Sequence, residues 1–375
     1  MKVTFLACSL QGTNDTIIEA GRDLLRNLNL PFRETTEHPD ALVLLSGGTE
    51  MLAIPHLRSG LILCPVGTTN ALAAALEIKA YAEAQDLVVT VVFDLESSES
   101  TREVWRALSN LSTLRVGRIG APSDWLIKSG DGQLLNDLGV TLLDFDPHDI
   151  DLNTTPDRAL RERFLALQRT AGVTAETLEK ALALHAGLKA LLTNERLNAF
   201  TLRCFDFVAE KRVSACLSLA ILNAEGIVAG CEGDLEALGT MLLAKTLTQH
   251  PCFMANLARL EHGIATFAHC TANLDLVPNA SLDTHFESNV SVAIKGQIAA
   301  DAFTVFRASS GKRFTVFEEA SAQRDLAESM CRTQLSMKLP EMFVRTALGN
   351  HHIIIPGRWA EQLSQLTRLG WTRVN

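Results

Sequence analysis

Val228–Leu247 reads VAGCEGDLEALGTMLLAKTL. An apolar, strand-like run stops at Glu232, and a helical pattern begins directly afterwards. Leu235, Leu238, Met241, Leu242 and Leu247 form a stripe at helical spacing. Asp234 stands immediately before that stripe, where aspartate is a preferred helix cap, and it reads as a structural residue. Glu232 lies outside the stripe, at the carboxyl end of the predicted strand. Open α/β sheets gather their ligands at that end. The stretch is therefore one strand–helix unit of a parallel sheet, with one carboxylate for the helix and one for a candidate site.

The same alternation extends towards the amino terminus. Val3–Leu10 and Ala41–Leu45 are buried-strand runs, as is LILC at 61–64. TIIEAGRDLLRN (16–27) and ALAAALEIKAYAEAQ (71–85) carry helical spacing. Short apolar runs between longer helices predict a parallel sheet covered on both faces. SGGTE (46–50) follows a strand. It reads as a tight strand–helix turn, or as backbone N–H groups offered to a substrate's polar edge. Neither GxGxxG nor GxxxxGK[ST] occurs, which excludes the standard dinucleotide and nucleotide fingerprints.

A second such unit is expected over 113–250. Its strands are read at Arg115–Gly120, Gly139–Phe145, Ala199–Phe207 and Ile227–Cys231, and its helices at Arg158–Gln168, Thr174–Leu192 and Val213–Leu222. Beyond His250 the helical period fades, and short alternating segments take over at Gly263–His269, Val290–Ile294, Ala302–Arg307, Arg313–Phe317 and His352–Ile355. The reading is α/β throughout. Two doubly wound, Rossmann-like domains (1–112 and 113–250) precede a mostly antiparallel, β-barrel-like domain (251–375) closed by a helix near Trp359–Leu369.

Composition bounds the function. The 375 residues are 47% hydrophobic and 21% charged, the balance of an ordinary globular protein. A net charge of -9 argues against nucleic acid as a partner. No run of about 18 apolar residues is present to span a membrane. MKVTFLACSLQGTND reads as a first strand rather than a signal peptide. The eight cysteines are scattered without a CxxC, the pattern of reduced core thiols in a cytoplasmic protein.

Polar residues of metal-binding type cluster late in the chain: Asn256, His269, His285, Glu287, Arg332, His351 and His352. A histidine beside an apolar strand is ordinarily a structural residue. Several at strand ends, together with Glu232, are better explained as ligands. Imidazole plus carboxylate, without thiolate pairs, favours Mn²⁺ or a similar divalent ion over structural zinc. Arg332 and Glu287 are further site candidates, and His352 reads equally as structural.

The ordered set ACLSLAILNAEGIVAGCEGD, FMAN, HCT, HFES, CRTQ and GNHH resembles the carboxy-terminal half of the L-fucose and L-arabinose isomerase superfamily, closest to its short fucose-isomerase-like members. LLSGGTE, PVGTTNALAAALE and RIGAPSDWL are similar to its amino-terminal α/β domains. The resemblance implies a metal-dependent aldose–ketose isomerase, a homo-oligomer acting on a small sugar by proton transfer through an enediol. It implies Glu232 as ligand and acid/base, His351 as the late histidine ligand and His269 as the intermediate one. The second carboxylate of the fucose branch falls where this chain has Asn256. An amide binds a metal through its carbonyl oxygen but cannot serve as a base near pH 7. Glu232 then acts alone, or Glu287 or Glu261 takes the second role. A sugar-binding or regulatory homologue, and a metal-dependent epimerase or lyase, are the competing expectations.

Overall fold

The computed structural model describes residues 1–8, 13–67 and 69–375. The chain forms two compact units, Met1–Thr113 with Ser364–Arg373, and Leu114–Leu363 with Val374–Asn375.

The first unit holds a parallel sheet of β1 (Lys2–Leu6), β2 (Arg33–Glu34), β3 (Ala41–Leu44), β4 (Ile62–Pro65) and β5 (Thr90–Val91), in the order β2-β1-β3-β4-β5. This is a doubly wound order. Residues 9 and 10 of the expected first strand lie outside the described residues, as does Thr68 of PVGTTN. β3 and β4 are buried along their whole length, as strands covered on both faces must be. In SGGTE, Gly48 has φ +80°, so the turn uses a left-handed glycine. The helical turn Gln365–Leu369 belongs to this unit, and its Arg368 pairs with Asp94 at 3.0 Å.

The second unit contains a parallel sheet and a mixed one. The parallel sheet comprises β6 (Arg115–Ile119), β7 (Thr141–Phe145), β8 (Ala199–Leu202) and β9 (Val228–Cys231), ordered β7-β6-β8-β9. The expected strand Ala199–Phe207 ends at Leu202, and Cys204–Lys211 is a helix. Cys204, Phe207 and Val208 are its buried residues, an i, i+3, i+4 set that fits a helix rather than a strand.

The mixed sheet is built from β10 (Phe253–Glu261), β11 (Ile264–His269), β12 (Ser281–Asp283), β13 (Ala293–Gln297), β14 (Ala302–Ser309), β15 (Arg313–Ala320), β16 (Thr333–Lys338) and β17 (His351–Pro356). They run β12-β13-β16-β11-β10-β17-β14-β15. Of these pairings β13–β16 is parallel and the rest are antiparallel. The sheet does not close into a barrel among the described residues.

The helix Leu235–Thr248 touches β8 and β9 of the parallel sheet and β14 and β17 of the mixed one. It is therefore covered on more than one side, and the single apolar stripe expected from sequence understates its burial. Even Glu236 and Thr240 are fully buried on it. Enclosure of this kind demands that every polar group on the helix find a partner. Those partners build the site at its amino end.

Candidate metal centre

Glu232 sits in a four-residue turn that links β9 to the buried helix. Asp234 N–H donates to Cys231 C=O at 3.1 Å, closing the turn. Glu232 and Gly233 between them have φ of +63° and +76°. Two successive left-handed residues are the signature of a type I′ turn, for which glutamate is a poor choice. Gly233 is required, because a Cβ there would lie 2.6 Å from Pro122 Cα. The strain is held by the loop after β6. Ser123 N–H donates to Glu232 C=O at 2.8 Å, and the Trp125 indole N–H donates to Glu232 Oε2 at 2.7 Å.

The other carboxylate oxygen faces two histidines. Glu232 Oε1 lies 3.6 Å from His269 Nε2 and 3.5 Å from His351 Nε2. One donor atom from each of Glu232, His269 and His351 falls within 4.8 Å of the others, and all three residues are buried. Each imidazole is fixed from behind. Asp234 Oδ2 lies 2.9 Å from His351 Nδ1, and Thr271 Oγ1 lies 3.0 Å from His269 Nδ1. His351 Nε2 is buried with no hydrogen-bond partner. A carboxylate behind an imidazole whose outer nitrogen is free is the arrangement that orients a metal-ligating histidine. Oxygen and imidazole donors fit a divalent ion of the Mn²⁺ or Zn²⁺ kind.

Electrostatics agree with the geometry. Burial alone would raise the Glu232 carboxyl, but the His269 and His351 imidazoles beside it outweigh that and hold it well below the usual carboxylate range. For His351 burial works downwards, yet Asp234 and Glu232 push the metal-free imidazole up to about 9. Its contribution to the stability of the metal-free chain is thus present in full below about pH 6.5 and lost as pH climbs through about 9. Binding an ion at Nε2 requires that proton to leave. Mn²⁺ affinity is therefore expected to fall as pH drops below about 9, with close to one proton released per ion at pH 7–8. Calorimetric titrations in buffers of different ionisation enthalpy measure the released proton, and uptake independent of pH over 6–9 would contradict the assignment.

Asp234 corrects the sequence reading, which gave it to the helix alone. Its Oδ1 accepts from Ala237 N–H at 2.6 Å as an N-cap, while Oδ2 orients His351. Asp234→Asn retains a good capping residue but removes the charge behind His351. It is expected to weaken Mn²⁺ binding by about 10–100-fold. Asp234→Ala should in addition cost about 0.5–2 kcal/mol of stability through the lost cap. Unchanged Mn²⁺ affinity in a folded Asp234→Asn chain would return Asp234 to a purely structural role.

The remaining candidates separate. Asn256 on β10 lies directly across from His351 on β17, and its buried Oδ1 has no partner. Directly opposed residues share a face of the sheet, so that oxygen stands on the histidine's side. His352 turns away with the strand alternation. Its ring packs against Phe343 at 4.7 Å and Phe267 at 5.9 Å. Burial, aided by Arg307 and His351, pushes it down to about 3, so it is a neutral core residue. Glu261 occupies the far end of β10, roughly 17 Å along the strand from Asn256, and pairs with Arg324 at 3.3 Å. Glu287 is exposed. Arg332 donates to Thr284 C=O at 3.0 Å and lies over the Phe286 ring, engaged with the HFES loop rather than with the Glu232 cluster.

Three residues at the site escaped the sequence reading. Trp125 was visible only as part of RIGAPSDWL. Glu236 was hidden by its position in an apparently ordinary helix. Arg307 interrupts the apolar alternation of AFTVFRAS, which was the available signal. Its fully buried guanidinium reaches His351 C=O at 3.0 Å, Ser129 Oγ at 3.1 Å and Glu236 Oε2 at 3.4 Å, with Asp234 Oδ1 at 3.8 Å. A Cβ on Gly349 would lie 2.8 Å from its Nη2, so the glycine of GNHH makes room for this arginine.

No protein-family model matches the chain. The sulfoquinovose isomerase of Priestia aryabhattai is 24% identical over 226 residues, covering 55% of this chain and 50% of that protein. The sulfoquinovose isomerase of Priestia megaterium matches with the same identity and coverage. The chain spans about half the length of the curated relatives it matches.

Proposed function

We propose that this chain is a metal-dependent aldose–ketose isomerase of the fucose- and arabinose-isomerase kind. The observation that carries the reading is the convergence of two oriented imidazole Nε2 atoms on one oxygen of Glu232. The similarity to sulfoquinovose isomerases supports the reaction class and makes sulfoquinovose the first aldose to test. Glu232, His269 and His351 would hold the ion, and the unpartnered Asn256 amide oxygen would serve as a neutral ligand or substrate partner.

A bound divalent cation would polarise the sugar oxygens at C1 and C2 and acidify the intervening C–H. The chain supplies the remainder. Glu232 is ionised and takes the C2 proton, then returns it to C1 of the enediol, while the O2 hydroxyl proton passes to the neighbouring O1. Trp125 keeps the other carboxylate oxygen fixed at 2.7 Å, and the residue remains 52% exposed, an apolar surface for the sugar's C–H face. Asp234 holds the His351 tautomer, and Arg307 offsets the buried carboxylates. With Glu261 remote and Asn256 an amide, Glu232 is assigned both the removal of the proton from C2 and its delivery to C1.

The deciding experiment is proton NMR of sulfoquinovose and unsubstituted aldoses with the full chain and Mn²⁺ in D₂O. Deuterium is expected at C2, and chelation should abolish it. Sugar binding without exchange would favour the sugar-binding alternative, and exchange undiminished by chelation would remove the metal from the mechanism.

The chain is further assigned to a homo-oligomer. Leu72 and Leu76 are exposed on one face of the helix Ala71–Glu83, and Met51 is 75% exposed on the same unit, apolar surface suited to a second copy. Sedimentation velocity showing monomer alone at working concentration would remove this assignment.

A further inference from the structure

Cysteines that are scattered in sequence meet beside the Glu232 centre. Cys216 opens the helix Cys216–Ala224, Cys270 follows β11, and His285 comes from the loop after β12. One donor atom from each lies within 4.8 Å of the others, and all three residues are buried. Cys331 packs against the same cluster. Neither the isomerase reading nor the hard-ion site uses any of these groups. His285 carries the same rear support as the site histidines: its Nδ1 meets Ser288 Oγ at 2.9 Å, which fixes the ring and leaves Nε2 for a second partner.

We propose that Cys216, Cys270 and His285 form a second metal site, for a thiolate-preferring ion of the zinc type, with Cys331 placed to take the fourth position. Zinc–sulfur bonds of about 2.3 Å and zinc–nitrogen bonds of about 2.0–2.1 Å put tetrahedral donors roughly 3.5–3.8 Å apart. The present separations reach that by side-chain adjustment. Binding exchanges the S–H protons for sulfur–metal bonds and releases them to solvent. Sulfur and imidazole donors select such an ion, whereas the carboxylate-bearing centre beside them takes a harder one.

The two sites are joined through the backbone. His269 and Cys270 are consecutive, so one turn of chain at the end of β11 supplies a ligand to each. An ion on Cys270 fixes the position from which His269 reaches Glu232. The thiol site is therefore a structural support for the first.

Co²⁺ added to the reduced full chain tests this, because a thiolate–cobalt site absorbs strongly in the near ultraviolet and a carboxylate–imidazole site does not. The band is expected in the wild type, retained in Glu232→Gln, weakened in Cys216→Ser, and lost in the double variant Cys216→Ser/Cys270→Ser. His285→Ala leaves every thiol in place and should weaken Co²⁺ binding beyond the about 10–100-fold typical of losing a ligand's hydrogen-bond partner, while Ser288→Ala should fall within that range. Circular dichroism of the metal-free variants confirms folding. Absence of the band in the wild type overturns the proposal, as does wild-type affinity in a folded His285→Ala chain. A Cys216–Cys270 disulfide found by peptide mapping under reducing isolation does so as well. None of these outcomes depends on isomerase activity.

Discussion

Glu232→Gln is expected to lower deuterium exchange at C2 by about 10²–10⁴-fold, the scale of a lost general acid/base, and lost metal affinity adds to this. Glutamine keeps the shape of the side chain and can still accept from the Trp125 indole. Its amide can neither carry the proton nor present an anionic oxygen to the two imidazoles. The fold should persist, since the turn is held by backbone contacts from Ser123 and the close approach of Pro122 to Gly233. A modest loss of stability in the metal-free chain is expected at neutral pH. The Glu232 carboxyl is lowered from its ordinary 4.5, so its contribution to stability is present above that value and fades as pH falls. NMR exchange rates and urea midpoints separate the two effects. A folded Glu232→Gln chain with wild-type exchange would place the chemistry elsewhere.

Arg307→Met is expected to destabilise the protein by about 3–5 kcal/mol, because it leaves buried carboxylates uncompensated. Arg307, Asp234 and Glu236 are all fully buried. Glu236 retains Lys128 at 3.0 Å and the Ser309 hydroxyl at 3.0 Å, so it is partly provided for. Asp234 is not: beyond Arg307 its charge is met by His351 and one backbone N–H. The loss should therefore fall mainly on the Asp234–His351 pair and weaken metal binding alongside stability. Combining Arg307→Met with Asp234→Asn should recover part of the lost stability, since the carboxylate that needed the arginine is gone. Urea denaturation of the single and double variants provides the measurement. An Arg307→Met chain within about 1 kcal/mol of wild type would mean that the guanidinium is not what makes this burial tolerable.

Much of the frame was legible from local pattern. Apolar runs followed by helical spacing announce parallel sheets, and Asp234 before a helical stripe announces a cap, because both signals repeat within a few residues along the chain. The motif order also picked out Glu232, His269 and His351 as residue types suited to a metal. What local pattern could not hold was partnership. Asp234 and His351 are separated by 117 positions, Trp125 and Glu232 by 107, and no periodicity encodes such pairings. Strand alternation divided the adjacent histidines 351 and 352 between a polar centre and an aromatic core. Ladder register set Asn256 opposite His351 and carried Glu261 away along the same strand. The cysteines, unpaired in any spacing of the sequence, became neighbours when the end of β11 met the start of the helix at Cys216. The chain by itself determined which side chains were available and which local elements they ride on. Packing a largely buried helix amid two sheets decided which of them face each other, since the carboxylates enclosed there had to be met by groups brought from elsewhere in the chain.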